Sequence, residues 1–134
     1  MKTIVNPTTL AKPSGFSHGI VSEGGRLLFL AGQPGVDAAG KVVAPGDLVA
    51  QFAQAIANLK VVVESAGGTP GDIVKLTIYV LHKDDFVNNL KAIGEAYGAV
   101  FGRYYPAMTL VEVRALFDDD ALIEIDGMAV IPAA

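Results

Sequence analysis

The sequence predicts an α+β fold, a two-layer sandwich in which one β-sheet carries two helices on a single face. Three observations predict it. Strand-like apolar stretches at 16–22, 26–33, 72–81, 108–116 and 121–131 are interrupted by two stretches with apolar residues at three- and four-residue spacing. The resulting order, β-β-(β)-α-β-α-β-β, leaves both helices to cover one sheet. No linker of changed composition divides the 134 residues, so 1–134 reads as one domain.

Residues 16–22 and 26–33 read as two strands joined by Glu23-Gly24-Gly25, a connection suited to a hairpin. The second, Arg26-Leu27-Leu28-Phe29-Leu30-Ala31, is apolar on both faces, as a central buried strand would be. A loop with Gly35, Gly40, Pro45 and Gly46 follows, with room for a short strand at Lys41-Val42-Val43. Asp47 caps a helix running to about Ala66, whose apolar stripe is Leu48, Phe52, Ile56, Leu59 and Val63. Gly67-Gly68 stops it, and Pro70-Gly71 turns the chain into the β-branched strand 72–81. Asp84 opens a second helix with Phe86, Leu90, Ile93, Tyr97, Val100 and Phe101 on one face. The last two strands are joined by Phe117-Asp118-Asp119-Asp120.

Strand alternation assigns faces. In 72–81, Val74, Leu76, Ile78 and Val80 oppose Ile73, Lys75, Thr77, Tyr79 and Leu81. In 108–116, Thr109, Val111, Val113 and Ala115 oppose Met108, Leu110, Glu112 and Arg114. In 121–131, Ile123, Ile125, Gly127 and Ala129 oppose Leu122, Glu124, Asp126 and Met128. The first set of each strand is assigned to the helices. The second sets are too apolar for water and too charged for a core, so a sister subunit is the economical partner for them.

Composition narrows the function. The chain is 51% hydrophobic and 18% charged, against about 25% charged in typical domains, and its mean hydropathy is +0.44. Its apolar runs fall short of the roughly 20 residues a membrane helix needs, so the excess suits a buried subunit interface. The net charge is −4 and the ten basic residues are scattered, which argues against nucleic-acid binding. There is no cysteine, and His18 and His82 lack metal-ligand spacing, so no metal site is expected. Met1-Lys2-Thr3-Ile4-Val5 lacks a signal-peptide core, making a cytoplasmic location the expectation. No GxGxxG or GxxxxGK[ST] pattern indicates a nucleotide.

Several short motifs occur together in order: Ser14-Gly15-Phe16-Ser17-His18-Gly19, Ala31-Gly32-Gln33, Gly71-Asp72-Ile73-Val74-Lys75, Tyr105-Pro106-Ala107 and Ile123-Glu124-Ile125. With them the chain resembles the RidA/YjgF (reactive intermediate deaminase) family over nearly its whole length. The resemblance implies a chorismate-mutase-like subunit with a mixed sheet. It further implies a homotrimer whose sheets form a central barrel, with small-molecule clefts at the subunit interfaces. The implied activity is cofactor-free hydrolysis of enamines and imines to a carbonyl compound and ammonia.

The resemblance also implies site residues. Glu124 matches the glutamate that positions water or a proton. Gly32 and Gln33 match the backbone beside the ligand, Phe16 stands where a tyrosine is common, and Gly94 stands at about the place of an asparagine. Met108 occupies the position of the arginine that clamps a substrate carboxylate, and Leu110 joins the ligand-contacting set. A guanidinium makes two charge-assisted hydrogen bonds to a carboxylate, whereas a thioether donates none. An unpaired carboxylate in a partly buried cleft would cost on the order of several kcal/mol, so turnover of amino-acid-derived imines is expected to be weak or absent.

Each residue also has a plainer reading. Glu124 acts on water, or it forms an interface ion pair with Arg114 or Lys75. Met108 lines an apolar pocket, or it packs an interface. Arg103 and His18 are accessory candidates, a replacement guanidinium and a general base; a solvated loop arginine and a structural hydrogen-bonding histidine are the preferred readings. Asp118-Asp119-Asp120 reads as a solvated turn rather than a cation site. Besides the deaminase, two functions remain open: a non-catalytic binder using the intersubunit cleft, and a ribonuclease or translation inhibitor, which the acidic balance disfavours.

Overall fold

In the computed structural model, which describes residues 1–133, the chain forms strands β1 (Lys2–Val5), β2 (Gly19–Ser22), β3 (Arg26–Pro34), β4 (Ile73–Val80), β5 (Ala107–Glu112) and β6 (Ile123–Ile131). The helices are α1 (Leu48–Ser65), α2 (Lys83–Asn88) and α3 (Leu90–Phe101), with a 3₁₀ turn at Pro70–Asp72. A four-stranded sheet has the order β3-β6-β4-β5, in which only β4 and β5 run parallel. α2 and α3 make the crossover that a parallel pair requires. The mixed α+β architecture is the predicted one.

α1 forms where its stripe predicts. The Asp47 carboxylate accepts from Ala50 N at 3.0 Å, a cap worth about 1 kcal/mol. Leu48, Phe52, Ile56, Leu59 and Val63 are all buried against Leu76, Ile78, Val80, Ile123 and Ile125. Burying each such side chain contributes about 1.5–3 kcal/mol. Gly35 lets the end of β3 approach α1 closely: a Cβ there would lie 2.5 Å from the Gln51 carbonyl oxygen.

Several expectations are corrected. The hairpin over 16–22 and 26–33 does not form. β2 pairs with β1, Lys2 opposite Ser22, in a separate two-stranded sheet, while β3 pairs with β6. β3 is an edge strand rather than a central one, and its outward face stays open, with Phe29 69% and Leu27 54% exposed. The 41–43 strand reduces to one bridge between Val36 and Val42. The second helix is two, because the Asn89 side chain bonds Asp85 O at 2.7 Å and competes with the helical backbone. Asp84 falls in the first turn of α2, after the cap at His82.

Two face assignments also change. A register shift between Ile73 and Lys75 puts Ile73 in the core, while Val74 is only half-buried. β5 has the opposite polarity to the one expected: Met108 and Leu110 pair with Leu76 and Ile78 on the helix side. Thr109 and Val111 point to the open face. Glu112 shares the helix side only at the strand's end, where its carboxylate accepts from Lys83 N at 3.2 Å. β6 alternates as expected, with Ile123, Ile125, Gly127 and Ala129 inward.

Candidate functional site

A cleft of about 600 Å³ opens on the helix side of the sheet beside edge strand β5. Met108 and Leu110 supply its sheet wall, Leu90, Ile93, Gly94 and Tyr97 its helix wall, and Phe16 with Ser14 and Gly15 its rim. Phe52 and Phe86, edge to face at 6.2 Å, close the end nearest the core.

The rim is tied down locally. Ser17 N donates to Pro106 O at 3.0 Å, and the Ser17 hydroxyl donates to Tyr105 O at 2.6 Å. A parallel bridge from Ser17 to Ala107 lays this segment against the start of β5. The Tyr97 ring stacks between Phe101 and Tyr105, at centroid distances of 4.6 and 5.3 Å, and its hydroxyl donates to Tyr104 O at 2.5 Å. Burial pushes the Tyr97 phenol well above its ordinary range, and Tyr105 and Tyr104 add to the shift. Burial, then the Asp72 charge, pushes Tyr104 up to about 12. No lining residue carries a charge, so the cleft offers apolar surface, stacked rings and hydroxyls, and nothing to neutralise an anion.

Glu124 lies on the other side of the sheet. Its carboxylate packs on Gly32, where an added Cβ would sit 2.2 Å from Oε2. Tyr79 is its register partner on β4, and the Tyr79 hydroxyl donates to Asp126 at 3.3 Å. The Asp126 charge foremost, then burial, raises the Tyr79 phenol. The ion-pair reading of Glu124 is not realised within the chain: the Lys75 ammonium donates to the Thr109 hydroxyl at 2.8 Å, and the one ion pair among the described residues is Lys83–Asp84. A bulge between Leu30 and Gln33 sets Gln33 opposite Ile125, in the helix-facing register.

The sheet therefore sorts the sequence-predicted residues into two groups. Phe16, Gly94, Met108 and Leu110 meet in the cleft, while Gly32 and Glu124 meet on the open face. The expectation that Met108 shares a face with Glu124 is corrected. Arg103 is exposed and does not line the cleft. The His18 ring bonds Ala11 O at 2.7 Å and meets the Phe16 ring edge-on at 5.3 Å, a structural role that holds the rim segment.

Sequence reasoning missed Gln51. Its fully buried amide donates to Ala44 O and Asp120 O, both at 3.2 Å, and accepts from Leu122 N at 2.8 Å. It pins the loop that launches β6, two residues before Glu124. A polar residue interrupting the apolar stripe of α1 was the available signal. Among the described residues, no group of three or more acidic, histidine or cysteine side chains is placed to hold a metal ion. Nor is any helix long and apolar enough to cross a membrane.

Fold and site together define an α+β domain with an uncharged, largely apolar cleft at a sheet edge. The chain belongs to the RidA/YjgF family: the family model described as Endoribonuclease L-PSP matches residues 7–131. It is 35% identical over 130 residues to the 2-iminobutanoate/2-iminopropanoate deaminase of Escherichia coli, covering 96% of this chain and 97% of that one. A RutC family protein of Pyrococcus horikoshii is also 35% identical over 130 residues, covering 96% and 98%. Among solved structures, YyfB of Yersinia pestis, a Rid family protein of unknown function, aligns with a TM-score of 0.86 at 40% identity, covering 97% of this chain and 98% of that one.

Proposed function

We propose that this protein is a cofactor-free hydrolase of imines and enamines that works as a homotrimer and discriminates against substrates carrying a carboxylate beside the imine carbon. The observation that carries this reading is Met108, half-buried in an uncharged cleft, in a chain similar to an iminobutanoate/iminopropanoate deaminase. The reaction adds water to a protonated imine carbon and releases the carbonyl compound and ammonium. The carbon is already electrophilic, so the protein's work is to orient the substrate, hold a water and take its proton, which is the role of Glu124.

The trimer is part of the proposal. β3 and β5 are the two edges of the sheet, and its open face presents Leu27, Phe29 and Val111 to solvent. Three such sheets closing into a barrel bury those side chains and abolish the free edges. Closure also brings the β5 edge of one copy beside the β3 edge of the next, so that the Gly32–Glu124 end of one completes the Met108 cleft of its neighbour.

Wild type, Met108→Arg and Glu124→Gln would be assayed for ammonia release from 2-iminopropanoate generated in situ. Slow wild-type turnover, a gain of about tenfold or more with Met108→Arg, and loss of that gain when Glu124→Gln is added are expected. Fast wild-type turnover that neither substitution alters would overturn the reading. In ultracentrifugation the wild type should sediment at three times 13.9 kDa, and Phe29→Glu should not; a stable wild-type monomer removes the composite site.

A binder without catalysis is the second reading, favoured by the separation of cleft and carboxylate onto opposite faces within one chain. Ribonuclease action, although named in the family description, is disfavoured by the net charge of −4, since a polyanion is held by clustered cations.

A further inference from the structure

Gly94 stands in the fifth position of the twelve-residue helix α3, where glycine weakens a helix relative to alanine. No structural demand explains it. Its φ is not in the left-handed region, and among the described residues a Cβ built on it meets nothing within 4 Å, so none of their backbone or side chains needs the space. That space belongs to the cleft, of which Gly94 forms part of the helix wall. Five of the thirteen lining residues are aromatic and none is charged. At about 600 Å³ the cleft exceeds several-fold the roughly 150 Å³ that accommodates a benzene ring.

We propose that the cleft receives the uncharged aromatic ring of a substrate lacking a carboxylate, and that Gly94 is the specificity-determining residue whose missing side chain leaves room for that ring. The proposal deepens the imine-hydrolase reading by naming the body of the substrate, and rests on that reading only for the fate of the bound molecule. An aromatic ring satisfies a wall of rings through edge-to-face and offset contacts. A carboxylate entering the same space sheds water and gains no cation.

Phenylacetamide and phenylacetate are matched in size and differ in charge. Their affinities for the intact protein would be measured by calorimetry with wild type, Gly94→Ala and Gly94→Leu. Leucine is a good helix former, so Gly94→Leu is expected to melt no lower than the wild type and to keep its oligomeric state, and Gly94→Ala guards against its failure to fold. The wild type should bind the amide at least about tenfold more tightly than the anion. Affinity for the amide should fall stepwise from glycine to alanine to leucine, by about tenfold or more overall. Equal affinities, preference for the anion, no binding of either probe, or an amide affinity indifferent to residue 94 would each overturn it. Intact ring preference without imine turnover would sink the catalytic reading and leave this one standing; turnover without ring preference would do the reverse.

Discussion

Replacing Gln51 by alanine removes three hydrogen bonds at one stroke, and the structure sets the cost. Leu122 N loses its acceptor at 2.8 Å, and Ala44 O and Asp120 O each lose a donor at 3.2 Å. An orphaned buried N–H costs about 1–3 kcal/mol; a carbonyl losing a long bond costs less, because its second lone pair can find water. With about 1 kcal/mol for each carbonyl, the total is about 3–5 kcal/mol before the packing lost from a side chain that is 0% exposed. That is a large share of the usual 5–15 kcal/mol of stability. Urea unfolding followed by circular dichroism at one fixed protein concentration measures it. Native-state hydrogen exchange at Leu122 locates it, since that amide should lose protection selectively. A destabilisation under 1 kcal/mol, or unchanged Leu122 exchange, would refute the assignment of Gln51 as the clamp on the β6 entry loop.

Gly94→Ala should stabilise the fold by about 0.5–1 kcal/mol in the same assay, since its Cβ meets nothing within 4 Å; a loss of stability would show that the helix wall is closed. Gly35→Ala should destabilise by about 1–3 kcal/mol, because its Cβ would press on Gln51 backbone at 2.5 Å; a neutral result would mean α1 can back away. Tyr104, raised to about 12 by burial and Asp72, makes stability fall as pH rises from about 10 through about 12, where the unfolded chain gives up a proton that the folded one keeps. Tyr104→Phe should flatten that alkaline loss in denaturant titrations, and an unchanged slope would reject the assignment.

The apolar stripe and Asp cap of α1 were readable, since both agreed with the tertiary environment; the buried Gln51 between them was not. β6, and β4 from Leu76 onward, were readable because their core-facing sides are almost purely aliphatic; the shift at Ile73 was not. β5 was not: Met108 and Leu110 on one side compete with Thr109, Val111, Val113 and Ala115 on the other, and the charges of Glu112 and Arg114 tipped the alternation the wrong way. Glu112 is the last residue of the strand, where a charged side chain on the inner side can still reach a helix terminus and water. The Glu23-Gly24-Gly25 turn misled for a different reason. Its glycines do take positive φ, but local turn chemistry does not choose long-range partners, and the N-terminal strand competed for β2. For the candidate site, the family resemblance singled out Met108 and Glu124, but their separation by the sheet depends on strand pairing, which a linear pattern does not encode.

The stacked rings beneath the cleft have a practical consequence. The chain has no tryptophan and four tyrosines, and Tyr97 and Tyr105 line the cleft, with Tyr104 bonded to Tyr97 through its carbonyl. Two of the four emitters, Tyr97 and Tyr105, therefore stand in the cleft wall, while the Tyr104 ring lies under the Lys2 ammonium and Tyr79 is on the far face. A molecule seated in the cleft would announce itself optically without any label, and replacing both Tyr79 and Tyr104 by phenylalanine would confine the native reporter to the cleft wall.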